Sequence, residues 1–217
     1  MRKLAAALRA AGCKVVETRE PGGTPTGEKI RRLLLDSKTD RLSALAEMAL
    51  MFASRAEHIA EVIRPALERG EIVLCDRFTD STEAYQGCGR KLGIENVLQL
   101  HRILCEGLQP DLTILLDFDP AMSLGRARRR NQSLSHRTRD GVKNGSRKNA
   151  LKSHSDENRF EQQSSSFFAR VHEGYRAIAA REPQRVAVVD ASGTPPQTHR
   201  RIVEIVERRL KLITSEA

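Results

Sequence analysis

The sequence has 217 residues, of which 39% are hydrophobic and none is Trp, so it fits one domain with an aliphatic core. No apolar run approaches the ~20 residues of a membrane-spanning helix, and we expect a cytoplasmic protein. The formal net charge of +9 is local: residues 126–152 contain ten Lys or Arg and one acid, whereas the remainder has 27 of each sign. A basic nucleic-acid-binding face covering the whole domain is therefore excluded.

Four short apolar runs predict β-strands at 14–18, 72–75, 112–116 and 185–189. Each run is continuously apolar rather than alternating, which is typical of parallel strands buried on both faces. Charged residues follow the runs, at Arg19-Glu20, Asp76-Arg77, Asp117 and Asp190.

Helical patterns lie before, between and after these runs, at 2–11, 27–35, 42–69, 94–106, 120–130, 160–181 and 196–212. Glycines stand where helix C-caps belong, at Gly12, Gly70 and Gly107. Pro65 is expected to kink or end the 42–69 helix near Arg64, because proline lacks the backbone N–H that a helix interior requires. The alternation of strands and helices predicts an α/β fold with a parallel sheet and helices on both faces, in a single domain.

The cysteines and the segment 131–158 are not expected to take part in catalysis. The four cysteines form no ligand or redox spacing, and we expect reduced thiols in or near the core. Residues 131–158 are rich in Ser, Asn, Lys, Arg and Gly and nearly free of apolar residues, so they should form a disordered basic insertion.

The most informative segment is 75–87, with the sequence CDRFTDSTEAYQG directly after a predicted strand. At the carboxyl end of a parallel strand, the Asp76 carboxylate can reach a metal–phosphate group and the Arg77 guanidinium can clamp a phosphate with two hydrogen bonds. A surface ion pair at a strand end is the alternative for Asp76-Arg77.

Two further segments carry candidate chemistry. The run 19–25 (REPGGTP) is a tight turn after a strand, which brings the backbone close to a ligand or is a plain turn. In the run 52–58 (FASRAEH), Phe52 and Arg55 share one face of a predicted helix, so both can contact one ligand. Alternatively, Phe52 belongs to the core and Arg55 is a solvated charge.

These three segments together resemble the thymidylate kinase family, and the resemblance covers residues 1 to about 212 apart from the insertion. It implies the nucleoside monophosphate kinase type of α/β fold, with strand order 2-3-1-4-5, and ATP-dependent phosphorylation of dTMP to dTDP in dTTP biosynthesis. Mg²⁺ is the implied metal, with Asp76 and Glu20 as its ligands. The expected partners are dTMP, ATP and a second copy in a homodimer; we expect neither a membrane nor nucleic acid.

The resemblance also implies individual roles. Phe52 would stack on the base, Arg55 would donate to a base carbonyl, and Tyr85 would fill the place of a ribose 2′-hydroxyl. Arg77 would position the acceptor phosphate. The full set of implied substrate contacts is Arg19, Pro21, Phe52, Arg55, Arg77, Thr82, Tyr85 and Gln86.

Residues 126–160 resemble the family's closing lid, whose arginines offset charge on the phosphates in transfer. Arg126, Arg128, Arg129 and Arg130 lead into the insertion, and 158–162 (NRFEQ) leads out. We expect Arg130 and Arg159 to be catalytic together with Asp76 and Arg77. ATP contacts are expected from Arg126, Arg130 and Arg159.

One part expected of such kinases does not occur in the 217 residues, since no G-x-x-x-x-G-K-[ST] phosphate-binding loop is present. The resemblance places that loop, with a central first strand, before a helix like 2–11, and we expect both to precede Met1. This chain by itself could then be inactive. Two alternatives stay open: a kinase for another nucleoside monophosphate, and a non-catalytic remnant that binds dTMP or nucleic acid.

Overall fold

The computed structural model describes residues 1–36, 42–118, 159–160 and 162–210. The strands are β1 (Val15–Arg19), β2 (Ile72–Asp76), β3 (Thr113–Asp117) and β4 (Val186–Asp190). The α-helices are α1 (Arg2–Ala10), α2 (Pro25–Leu35), α3 (Ala44–His58), α4 (Arg64–Glu68), α5 (Thr79–Thr82), α6 (Ile94–Leu104), α7 (Ser165–Arg181) and α8 (Pro195–Leu210). The π-helix Ile59–Ile63 connects α3 to α4, and the π-helix Glu83–Gly89 follows α5. The predicted 120–130 helix and the 131–158 insertion lie outside the described residues.

All four predicted strands are confirmed, each shifted by one residue or extended by one. They pair in parallel as β1 with β2 and β3 with β4, so that Arg19 lies opposite Asp76 and Asp117 lies opposite Asp190. The α/β class with parallel strands is therefore confirmed. The described strands form two two-stranded sheets, and the expectation that a central strand is missing from this chain stays a prediction.

Side-chain and glycine caps fix six of the helix ends. The hydroxyl oxygens of Thr24, Ser43 and Ser164 accept hydrogen bonds from the first turns of α2, α3 and α7. The predicted C-terminal glycines adopt positive φ after α1, α4 and α6, at 83° for Gly12 and 68° for both Gly70 and Gly107.

Pro65 was expected to kink or end the long helix near Arg64; it does not end the helix, because the chain stays helical from Ala44 to Glu68, and the kink stays a prediction. The π-helix Ile59–Ile63 lies immediately before the proline turn, and the Arg64 N–H bonds to the Ile59 carbonyl. This wider turn places Pro65 in the first turn of α4, where a missing N–H costs little.

The core consists of two apolar clusters. The larger one packs α3, the first π-helix and α6 together through Met48, Phe52, Ile59, Ile63, Val97 and Cys105. The smaller one joins α7 to the second π-helix through Ala84, Phe167 and Val171. No helix among the described residues has the length and apolar character that a membrane crossing requires. The four cysteines are unpaired thiols, as predicted.

A charged clamp connects the chain after β2 to the second sheet. Arg185, just before β4, binds Asp80 with two hydrogen bonds of 2.7 and 2.8 Å, and the Thr113 hydroxyl donates to the same carboxylate at 2.9 Å. Asp80 is only 6% exposed. Because Asp80 lies in the segment with the most informative sequence motif, this clamp fixes the motif against β3 and β4.

We predict that Asp80→Asn lowers the free energy of unfolding by about 2–3 kcal/mol, because it removes one of the two carboxylates that neutralise the largely buried Arg185 guanidinium and leaves only Glu182. Urea denaturation measures the change. Arg201→Gln, at the exposed pair of Arg201 with Asp190, is the control and should leave the midpoint nearly unchanged. Equal effects of the two substitutions would show that the clamp does not stabilise the fold.

Candidate active site

The carboxyl ends of β1 and β2 lie side by side and open into two loops. The loop after β1 begins with the Glu20 N–H bonded to the Asp76 carbonyl at 2.9 Å, followed by a cis Glu20–Pro21 peptide. The Gly22 N–H then donates to the Ser54 hydroxyl on α3 at 3.1 Å. A Cβ at Gly23 would lie 2.5 Å from the His58 ring, so this position requires glycine. The 19–25 turn is thus packed tightly against α3.

A buried charge network lies beneath this turn. Glu20 accepts from Arg55 Nε at 2.7 Å and contacts His58 Nδ1 at 3.0 Å, and His58 Nε2 lies 2.6 Å from the Thr18 hydroxyl oxygen. Glu20 is 4% exposed, Arg55 2% and His58 not at all. All contacts are satisfied when His58 carries its proton on Nδ1 and accepts from Thr18.

Arg55 extends from Glu20 toward the segment after β2. Its Nη2 donates to the Thr82 hydroxyl at 2.8 Å, and its guanidinium carbon lies 5.0 Å from the Phe52 ring centroid and 5.2 Å from that of Phe78. Its Nη1 is buried and has no hydrogen-bond partner. An unpaired buried donor on a charged group is costly unless a ligand accepts from it. The structure therefore brings together Arg55 and Thr82, two of the predicted substrate contacts, and their contact with a base stays a prediction.

Phe52 lies on the core side of this group rather than on an open face. It is fully buried, and the Arg55 guanidinium lies over its ring. Stacking of Phe52 on a base stays a prediction.

The two predicted metal ligands differ in availability. The Asp76 carboxylate is exposed and takes part in none of the side-chain hydrogen bonds or ion pairs between described residues. The Glu20 carboxylate is occupied on both oxygens by Arg55 and His58, which argues against Glu20 as an Mg²⁺ ligand. The residues present therefore fit a hard cation at Asp76 and not at Glu20.

Glu20, His58 and Cys75 also have ligand atoms within 4.8 Å of one another. Burial and the nearby Glu20 charge raise the pKa of the Cys75 thiol well above its ordinary value, although Arg55 opposes the shift. With Arg55 already neutralising Glu20, this trio has the contacts of a closed structural network and not those of a metal site.

Arg77 has the environment expected of an anion-binding group. It is exposed, adopts a φ of +72°, and places its guanidinium 4.9 Å from the Tyr85 ring centroid. Nη2 donates to the Tyr85 hydroxyl at 3.3 Å and Nη1 to that of Tyr175 at 3.5 Å. No carboxylate of the described residues forms an ion pair with it. Desolvation lowers the pKa of Arg77, but its contacts with Tyr175, Tyr85 and Asp76 raise the value above normal overall.

Gln86 and Arg159 lie in a second buried network, centred on Glu47. Gln86 Nε2 donates to Glu47 at 2.8 Å, and Arg159 and Arg90 form ion pairs with the same carboxylate at 2.8 and 3.0 Å. Arg159 also donates to the Leu34 carbonyl at 3.1 Å. These contacts argue against a direct phosphate contact by Arg159, whose guanidinium joins α2 and α3 to the chain before α7.

The remaining predicted residues are placed as follows. Arg19, at the end of β1, pairs with the Glu28 carboxylate at 3.0 Å. The Pro21 carbonyl, in the following turn, accepts from Arg31 at 3.0 Å, so both residues contact α2. The predicted lid arginines Arg126 and Arg130 lie outside the described residues, and their roles stay predictions.

Sequence reasoning missed the residues that support the site from other elements. Three of these residues come from parts of the chain that carry no motif: Glu47, Tyr175 and Arg185. The fourth, His58, lies at the end of the 52–58 run. Only the adjacency of His58 to Arg55 on one helix face was visible beforehand.

Comparison with known proteins shows the family to which the chain belongs. The thymidylate kinase family model matches residues 1–202. The chain is 46% identical to a thymidylate kinase of Solidesulfovibrio magneticus, over 90% of this chain and 85% of the relative. It is 45% identical to a thymidylate kinase of Trichlorobacter lovleyi, over 95% of this chain and 89% of the relative. The crystal structure of thymidylate kinase from Ehrlichia chaffeensis has a TM-score of 0.66 and 26% identity, over 94% of this chain and 87% of that one.

The α/β fold with parallel strands and these comparisons define a protein of the nucleoside monophosphate kinase class. Within that class, the chain belongs to the thymidylate kinase family. Its family function is that of a nucleotide-binding transferase in dTDP biosynthesis.

We predict that Glu20→Gln lowers the free energy of unfolding by about 3 kcal/mol, because Arg55 would remain buried without a counter-charge. Thermal or urea denaturation measures this change. Glu17→Gln, at the exposed pair with Arg9, is the matched control and should have little effect. A Glu20 variant of unchanged stability, with weakened Mg²⁺ binding, would instead support Glu20 as a metal ligand.

Proposed function

We propose that the protein transfers the γ-phosphoryl group of ATP to dTMP, and that this chain carries the dTMP site. The observation that carries the proposal is the unpartnered Nη1 of Arg55, a buried cationic donor fixed in place by Glu20 and Thr82. A pyrimidine carbonyl would complete its hydrogen bonding, and the carbonyl at position 4 distinguishes thymine from cytosine. Base recognition then depends on a donor that is set before the ligand arrives.

The phosphate end of the substrate would lie at Arg77. The guanidinium is charged, open to solvent and supported by tyrosine hydroxyls rather than by an acid, so a phosphate can supply the missing negative charge. Tyr85, whose ring lies beside this guanidinium, would occupy the region between base and phosphate. It would exclude a ribose 2′-hydroxyl by its bulk.

Mg²⁺ and ATP belong to the proposed reaction, and Asp76 is the described residue whose free carboxylate would hold the metal or its water shell. Mg²⁺ supplies charge neutralisation on the phosphates in transfer. Arg77 orients the acceptor phosphate, whose oxygens need no side-chain nucleophile.

We further propose that one more parallel strand, with a phosphate-binding loop at its end, lies between β2 and β3 in the active protein. Each described strand has only one partner. No residue of β2 or β3 is fully buried, and Leu116 of β3 is 51% exposed, although such strands are normally covered on both faces. A strand in this position would pair both free edges and would restore the order expected from the family resemblance.

The strand proposal predicts the intact mass of the protein isolated from its native cells. We expect a mass about 1.5–2.5 kDa above the 24.3 kDa of this chain, at ~110 Da for each residue of a strand and loop. A mass equal to that of the 217 residues would contradict the proposal. Homodimer formation and a cytoplasmic location stay predictions.

We predict that dTMP binds more tightly than dCMP by about 10- to 100-fold, because the cytosine amino group cannot accept from Arg55 and would leave that donor unpaired. For dUMP, which keeps the carbonyl and lacks only a methyl group, a loss of about 3- to 10-fold is expected. Isothermal titration calorimetry with the three nucleotides measures these ratios. Equal affinity for dTMP and dCMP would favour a kinase for another nucleoside monophosphate.

The competing possibility, a remnant that binds phosphate backbones through its basic tract, predicts a different outcome. Deletion of residues 131–157 removes most of that tract and should leave dTMP affinity unchanged if the described site binds the nucleotide. Loss of dTMP binding on deletion, or steeply salt-dependent binding of single-stranded DNA that the deletion abolishes, would favour the remnant.

A further inference from the structure

Tyr175 lies 98 residues from Arg77 in the sequence, yet the two side chains meet beside the proposed phosphate position. Arg77 Nη1 donates to the Tyr175 hydroxyl at 3.5 Å, and the same hydroxyl lies 2.8 Å from the Ser81 hydroxyl oxygen. One tyrosine hydroxyl therefore bridges the phosphate-directed arginine and the segment that follows it.

The protonation of Tyr175 suits such a bridge. Desolvation raises the pKa of Tyr175 to about 12, although the Arg77 charge opposes this shift. The phenol stays neutral at physiological pH, so it can accept from Arg77 and donate to Ser81 at the same time. A neutral partner holds the guanidinium in place without cancelling the charge that a phosphate requires.

Tyr175 is itself held rigidly, because α7 approaches the Glu83–Gly89 π-helix very closely at the neighbouring residue. A Cβ at Gly174 would lie 2.9 Å from Cys88 Sγ and 3.1 Å from Ala84 Cα. The ring also lies edge-to-face against that of Tyr85, with centroids 6.4 Å apart. The hydroxyl position is thus set by backbone packing rather than by the side chain alone.

Arg77 needs such support, since its backbone adopts a φ of +72° that a non-glycine residue rarely takes. Without Tyr175, the described contacts of its guanidinium reduce to Tyr85 alone. A long, solvent-open side chain with one neutral contact would sample several rotamers and lose entropy on binding an anion.

We propose that Tyr175 is a positioning residue that preorganises Arg77 for the 5′-phosphate of the nucleotide, with Ser81 orienting the tyrosine hydroxyl. This inference rests on the proposed dTMP site. The inference gives α7 a part in phosphate binding, through the contact between Tyr175 and Arg77.

The test compares dTMP with thymidine, which lacks the phosphate, by isothermal titration calorimetry on the full chain. Tyr175→Phe should raise the dissociation constant for dTMP about fivefold and leave that for thymidine within about twofold. Glu173→Gln, an exposed position on the same helix, should change neither. Unchanged dTMP affinity in Tyr175→Phe, or equal weakening for both ligands, would overturn the inference.

A second variant separates the bridge from general packing. Ser81→Ala should weaken dTMP binding in the same direction but less, and Tyr175→Phe combined with Ser81→Ala should be no worse than Tyr175→Phe alone. Additive losses would show that Ser81 acts independently and would overturn the bridge. If the unsubstituted chain binds no dTMP at all, the proposed function fails as well, which distinguishes that outcome from a failure of the Tyr175 assignment alone.

Discussion

The buried ion pair between Glu20 and Arg55 is the interaction on which the site depends. It joins the turn after β1 to α3, and through Thr82 it reaches the segment after β2. Burying two charges is costly, and a pair of this kind is stable only when its remaining hydrogen-bonding groups are satisfied. Here His58 satisfies Glu20, while one Arg55 nitrogen is left without a partner. The network therefore leaves one donor unsatisfied, at the place where a pyrimidine carbonyl is expected.

At the proposed phosphate position, the arginine is exposed and has neutral partners, unlike Arg55. Arg77 is exposed, and its neighbours in the described chain are tyrosine hydroxyls instead of carboxylates. A carboxylate partner would neutralise the guanidinium and compete with phosphate, whereas a neutral hydroxyl fixes its direction and leaves its charge available. The two arginines thus differ in burial and in partners, in agreement with the separate roles proposed for them in base recognition and phosphate binding.

Much of the fold followed from local patterns. The continuously apolar runs located all four strands to within one residue, and the glycines after α1, α4 and α6 marked the helix ends. Pro65 does not end the helix, because the π-helix before it absorbs the missing N–H. The described strands form two two-stranded sheets, and a further strand between them stays a proposal.

The site was predictable only in part, because motifs identify residue types and not their partners. Asp76 and Arg77 are open at a strand end, as the sequence suggested. Glu20 and Arg159 were assigned to metal and phosphate, yet both are paired with buried opposite charges. The partners of Glu20 lie 35 and 38 residues away and that of Arg159 still further, so no local pattern could reveal the pairing. Tyr175 was not predicted for the same reason, because it lies 98 residues from Arg77.

The most direct test of the account is a crystal structure of the protein with dTMP bound. It should show Arg55 Nη1 within about 3.2 Å of a base carbonyl oxygen, with the Glu20–Arg55 pair intact and Arg77 on the phosphate. A complex in which Arg55 Nη1 stays unpartnered, or in which Glu20 leaves Arg55 to bind a metal, would contradict it.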